Sequence, residues 1–225
     1  MNDISPDLTT MDVPHGREPT NDLWEAMFSQ RAIRYWQDRS VPRELLEKVV
    51  MAGSKAPSGS NLQPWVFVIV DERPKIHAVG EAMRQRIGES EGIQQLIAEG
   101  KSSEDKSWRL IMRGAEAFFN QLAKAPALIV PCLYQLTSPT NDPTTLHAGS
   151  SIYLAVQNML LAARALGLGT VMTTAHSGVE DVLRAELNLP DDAHPVALIP
   201  IGYPDANFGE TRRKPPSEIL RFNSW

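Results

Sequence analysis

Apolar residues recur at helical spacing through Leu45, Leu46, Val49 and Val50, then close into the unbroken run WVFVIV at Trp65–Val70. The first pattern predicts an amphipathic helix, RELLEKVVMAG, with Pro42 placed to open it at the first helical position. The second predicts a β-branched and aromatic strand that has no polar position for a wet face and is covered on both sides. Upstream, Asn21 or Asp22 can cap a helix through LWEAMFSQ; downstream, Pro74 begins a helix through PKIHAVGEAMRQRI. A further helix, WRLIMRGAEAFFNQLAK, leads through Pro126 into a second strand, ALIVPCLY. From Leu146 to Leu166 apolar residues occur nearly all round, which predicts a central buried helix closed by Gly167 in the left-handed conformation. Strands TVMTT and PVALIPIG follow, separated by a short helix, VEDVLRAEL, and the ending RRKPPSEILRFNSW has no final amphipathic helix. Helices and strands are mixed without strict alternation, so the pattern predicts one α+β domain over residues 21–225.

The polar stretches divide the rest. Residues 1–20 read as a flexible arm: they lack the charged and apolar regions of a signal peptide. Residues 88–106, GESEGIQQLIAEGKSSEDK, are charged and broken by glycines, which predicts a mobile lid. In the C-terminal extension 211–225, Phe222 and Trp225 give a polar tail two apolar anchors, of use against a partner or against the chain itself.

Composition narrows the classes. The chain has 225 residues, 42% hydrophobic and 22% charged, enough to bury a core and too apolar for intrinsic disorder. A net charge of -5 offers no basic footprint for nucleic acid. The most apolar helix carries Gln157, Asn158 and Arg164 and falls short of a membrane span. The lone Cys132 cannot form an internal disulfide and sits in an apolar run, which fits a reducing cytoplasm.

The five histidines show no HExxH, HxH or Cys–His spacing, so no metal site is expected. There is no GxSxG elbow, Walker loop or GxGxxG, and the GxG of LGLGT ends a helix rather than opening one. Scattered cationic and small polar elements remain. SQRAIRYW supplies Arg31 and Arg34; KAPSGSN supplies Ser58, Gly59, Ser60 and Asn61 directly before a strand; MTTAHSG supplies Thr173 and Thr174; ETRRKP supplies Arg212, Arg213 and Lys214. Alone, the PSGSN stretch is an ordinary turn and the arginines are ordinary surface charge. Together they suit one ligand carrying both an anionic phosphate, which guanidinium forks bind, and a planar ring edged with heteroatoms.

In this order, QRAIRYWQDRSVP, ELLEKVVMAGSKAPSGSNLQPWVFVIV, AVQNMLLAARALGLGTVMTTAHSG, LIPIGYPDA and RRKP resemble the FMN-dependent nitroreductase family, nearer its iodotyrosine deiodinase-like branch. The resemblance runs from about Trp24 to the C-terminus. It implies a mostly antiparallel sheet flanked by helices, an intertwined homodimer with FMN between subunits, and a C-terminal segment crossing the partner.

The resemblance places the family's basic motif on Gln30, Arg31, Ala32, Ile33 and Arg34, where Gln30 and Ala32 replace usual polar members. The FMN phosphate should then lean on Arg31, Arg34 and Arg213. Ser58, Gly59, Ser60 and Asn61 would lie against the flavin. Thr173 or Thr174 would face N5, where a hydroxyl can both accept and donate a hydrogen bond; the alternative is that these hydroxyls cap the strand end.

The implied activity is ping-pong reduction of nitroaromatic, quinone or related small acceptors with NADH or NADPH, with no essential acid or base on the protein. Alternatives on the same fold are a flavin-consuming, benzimidazole-forming enzyme and a non-catalytic flavin-binding protein. The deiodinase branch's lid Glu, Tyr and Lys fall on Glu91, Gln95 and Phe119, so only the carboxylate is kept and deiodination is not expected.

Overall fold

The computed structural model describes residues 16–134 and 146–225, with side chains from residue 149 onward in the second span. Its helices are α1 Leu23–Ser29, α2 Arg43–Gly53, α3 Arg73–Glu89, α4 Glu91–Ser102, α5 Lys106–Gln121, α6 Leu146–Ala165, α7 Glu180–Leu187 and the single turn α8 Pro216–Ile219. Its strands are β1 Trp65–Val70, β2 Ala127–Tyr134, β3 Gly169–Thr170, β4 Ala193–Pro195 and β5 Ile199–Gly202. The fold class is α+β, as expected.

β2 is the axis of the sheet. β1 pairs antiparallel along one side of it, from Trp65 opposite Leu133 to Val70 opposite Leu128. On the other side β5 covers Ala127 to Ile129 and β4 covers Cys132 to Tyr134, both antiparallel, and β3 extends the sheet from β5. The apolar run of β2 follows from this position. Leu128, Val130 and Cys132 pack with Ile76, Val79, Met83 and Leu183 on one face. Ala127 and Ile129 pack with Leu46, Val49, Val156 and Met159 on the other. Alternate residues point to opposite faces, and both faces are covered.

Several expectations need correction. β1 is an edge strand whose two faces are covered, Val68 and Val70 packing on one side and Phe67 and Ile69 on the other, except at its start, where Val66 is 42% exposed. PVALIPIG is not one strand: Pro195 ends β4, and Ile199–Gly202 is β5. Pro131 has no N–H for the ladder, and beyond Val196 the chain turns so that Leu198 and Thr173 exchange N–H···O bonds of 2.9 and 3.0 Å. TVMTT accordingly contributes only Thr170 to a strand and Thr173 to a bridge. Pro42 precedes its helix as the N-cap rather than opening it. Asp22 caps α1 by accepting from the Glu25 N–H at 2.7 Å, as its sequence position suggested. α6 buries Ile152, Val156 and Met159, but Leu154 is 47% exposed, so its apolar girth is not wholly enclosed.

The glycine-broken stretch 88–106 contains a complete helix, α4, packed on α5. A Cβ at Gly100 would lie 2.1 Å from Met112 Cγ, so this glycine brings two helices together rather than breaking one. Most of the expected arm, residues 1–15, lies outside the described residues. Residues 16–20 are tied to the body: Thr20 N donates to Ala165 O at 3.0 Å, and Gly16 O accepts from Phe208 N at 2.8 Å.

Gly80 on α3 lies against backbone rather than a side chain, because a Cβ there would meet Ala123 N and Cα at 2.4 Å. Gly80→Ala is therefore expected to destabilise by about 1–3 kcal/mol, through overpacking that no side-chain rotation relieves. Urea unfolding with an unchanged midpoint would contradict this contact.

Cys132 is buried, and burial pushes its thiol up to about 11. At pH 8 a thiol reagent is expected to label it only as fast as the protein opens; rapid labelling of the folded chain would contradict the packing. The raised pKa also has a sign. The unfolded thiol ionises first, near about pH 8.5, so this contribution leaves stability intact below that pH and lowers it between there and about 11.

Candidate functional site

α1 ends at Ser29, and the chain runs on extended, with Ala32 bridging β3 at Thr170 and Ile33 N donating to Thr170 O at 2.8 Å. Sheet pairing thus fixes the backbone of Arg31–Tyr35. This segment forms one wall of a cavity of about 380 Å³, with Ala206 and Asn207 from the loop after β5 and Arg113, Gly114 and Ala117 from α5 as the rest. Arg31, Arg34 and Arg113 therefore bring three guanidinium groups to one cavity. None of the ion pairs among the described residues involves them. Burial and the neighbouring Arg31 charge hold the Arg34 guanidinium below its ordinary value. Cations gathered without a carboxylate make an anion site, and guanidinium forks suit phosphate.

The other expected residues lie elsewhere in the single chain. Ser58 Oγ accepts from Gln63 N at 2.9 Å, and Gly59 N donates to Ser151 Oγ of α6 at 3.2 Å. Ser60, Asn61 and Gln63 hold positive φ, so the loop turns through left-handed conformations while these residues stay exposed. A Cβ built on Gly59 would meet nothing within 4 Å, so the face of the loop is open.

Thr173 Oγ1 accepts from the N–H of Ala175, two residues on, at 3.2 Å, a local turn bond, and the hydroxyl keeps its own proton to donate. Thr174 is exposed. Arg213 is exposed, donates to Arg212 O at 2.9 Å and is not among the residues that line the cavity. Glu91 opens α4 and is exposed, Gln95 donates to Glu99 at 2.7 Å, and Phe119 packs beside Phe118 against the core. Among the described residues no cluster of His, Cys, Asp or Glu is placed to hold a metal ion.

Two residues escaped the sequence reading. Arg113 sits mid-helix on a polar face, and its only signal is the small pair Gly114 and Ala117 beside it. Arg164 is 2% exposed on α6 and donates to Ser29 Oγ at 2.7 Å, Glu18 O at 2.9 Å and Glu25 Oε1 at 2.8 Å, with its guanidinium 4.3 Å from the centre of the Phe208 ring. Its contacts lie beside both walls of the cavity: Ser29 precedes Arg31–Tyr35, and Phe208 follows Asn207.

The chain is 28% identical over 212 residues to a putative NADH dehydrogenase/NAD(P)H nitroreductase of Methanothermobacter thermautotrophicus, covering 91% of this chain and 88% of the other. It is 29% identical over 203 residues to an iodotyrosine deiodinase of Haliscomenobacter hydrossis, covering 88% and 87%. Its fold superposes with a TM-score of 0.67 on an FMN- and NADPH-dependent nitroreductase from sphigopyxis sp. strain HMH, 22% identical, over 91% of this chain and 100% of that one. Residues 28–203 match the Nitroreductase family, from the end of α1 through the sheet, and the chain belongs to that family.

Proposed function

We propose that the chain is an FMN-dependent NAD(P)H oxidoreductase that reduces nitroaromatic, quinone or related small acceptors, and that it works as a homodimer. The observation that carries this is the cavity of Arg31, Arg34 and Arg113, which has the chemistry of a phosphate cradle and lies within the span of the family match. Bound there, FMN would supply the redox chemistry, accepting a hydride from NADH or NADPH and returning electrons to the acceptor. The FMN- and NADPH-dependent nitroreductase on which the fold superposes supports this reading.

The arginines would hold the phosphate and so orient the ligand. The bare faces of Ser58, Gly59, Ser60 and Asn61 offer a low surface for a flat ring, and Thr173 or Thr174 would offer a hydroxyl at its polar edge. Within one chain the PSGSN loop and the arginine cavity have no lining residue in common. A second copy would complete the site by bringing its loop to the first copy's cavity. Exposed apolar side chains support such an assembly: Leu23, Trp24 and Met27 on α1, Met51 on α2 and Leu154 on α6.

The activity test is anaerobic NADH or NADPH oxidation by the FMN-loaded protein, followed by addition of a quinone or nitroaromatic. Electron transfer on both additions, with FMN recovered unchanged, is expected. Loss of FMN in proportion to turnover would instead indicate a flavin-consuming enzyme, and binding without either transfer would indicate a non-catalytic flavoprotein.

A further inference from the structure

Gln30 and Ala32 leave the segment after α1 with only Arg31 and Arg34 as cations at the cavity, and Arg213 is not among its lining residues. α5 presents one complementary wall. Arg113 and Ala117 are four residues apart and share a helical face, and Gly114 lies beside them. A Cβ on Gly114 would approach Arg34 Nη1 to 3.3 Å and Cζ to 3.4 Å, so the glycine lets the Arg34 guanidinium lie close against α5, on the side from which Arg113 reaches.

Nearby acids are engaged elsewhere. Glu116 on α5 holds Lys101 at 2.8 Å through both oxygens, and Asp205 on the facing loop holds Arg17 at 3.3 Å. The cavity thus has concentrated positive charge, small side chains that leave room, and no carboxylate among its lining residues. An oxygen-rich dianion completes that arrangement.

We propose that Arg113 is a phosphate ligand, supplying from α5 the cation that the segment after α1 lacks, and that it distinguishes the flavin mononucleotide from the unphosphorylated flavin. This rests on the FMN reading above.

The test compares FMN and riboflavin binding to the full-length wild type and to Arg113→Met, with NADH and NADPH as a second pair. Arg113 is exposed and outside the core, so the variant is expected to keep the wild-type melting temperature without flavin. FMN affinity is expected to fall roughly ten- to a hundredfold, with riboflavin affinity unchanged and the NADPH-to-NADH preference unaltered. Arg113→Lys is expected to fall between wild type and the methionine variant, because it keeps the charge and loses the fork.

Equal FMN affinity in wild type and Arg113→Met would overturn the assignment while leaving the FMN reading in place. So would a parallel fall for FMN and riboflavin, which marks a structural effect. So would unchanged FMN binding with a lost NADPH preference, which would place the phosphate contact on the dinucleotide. Wild-type protein that binds neither flavin would overturn both readings.

Discussion

Arg164→Ala is expected to destabilise the protein by about 3–5 kcal/mol, the cost of removing one partner from a buried ion pair. Its guanidinium is enclosed and satisfied by Ser29, Glu18 O and Glu25, and Glu25 also accepts from Thr20 Oγ1 at 2.8 Å. Alanine would leave the half-buried Glu25 carboxylate without its cation and remove the group beneath the Phe208 ring. The effect should extend to the site, because this one side chain ties the end of α1 to the loop that follows Asn207. Urea titration measures the stability. A second variant, Arg164→Met with Glu25→Gln, removes both charges and is expected to recover part of the loss, since the penalty comes mainly from the stranded partner. A loss below about 1 kcal/mol for Arg164→Ala would contradict the network.

Deleting Ile219–Trp225 is expected to weaken dimerisation and FMN retention together. The tail beyond α8 carries Phe222 and Trp225 at 84% and 105% exposure, so neither anchor is used within the chain. Burying a large apolar side chain is worth about 1.5–3 kcal/mol, and two such anchors correspond to roughly a hundredfold or more in association. A cleft of about 450 Å³ between α1, α2 and α6, lined in part by Leu23, Ala52 and Leu161, offers apolar surface to such an anchor. Light scattering of the truncated protein should show dissociation at concentrations where the full chain is paired, with FMN lost in step, because a ligand shared between chains stabilises only the assembly. A flavin-loaded monomer would contradict the shared site.

Elements whose residues satisfy purely local demands were legible in the sequence. β2 spans ALIVPCLY because a central strand must be apolar on both faces, and α3 holds Pro74 within its first turn because proline is tolerated there. β1 misled for a related reason: WVFVIV has the composition of a central strand, yet within one chain it is an edge, and its surplus apolar surface matches an assembly better than a monomer. α4 was obscured by Gly100, which is read along the chain as a breaker and in space as the point where α4 meets α5. The helical spacing of Ile93, Leu96, Ile97 and Gly100 was the signal for it.

The site divides in the same way. Arg31 and Arg34 stand in a contiguous motif, and the cavity includes both. Arg113 and Arg164 act across long sequence separations, and beyond the small pair Gly114 and Ala117 beside the first, nothing in their local spacing tells a site cation from a surface or a buried one. Their roles follow from which side chains the fold brings to them: Gly114 under Arg34 in the first case, Ser29 and Glu25 around the guanidinium in the second.

The visible spectrum of the full-length protein, taken as purified or after incubation with FMN and removal of the excess, is the most direct measurement of what this cavity holds. A protein-bound flavin band that NADH or NADPH bleaches anaerobically, and that a quinone or nitroaromatic restores, is the expected result. A colourless protein that takes up no FMN would contradict it.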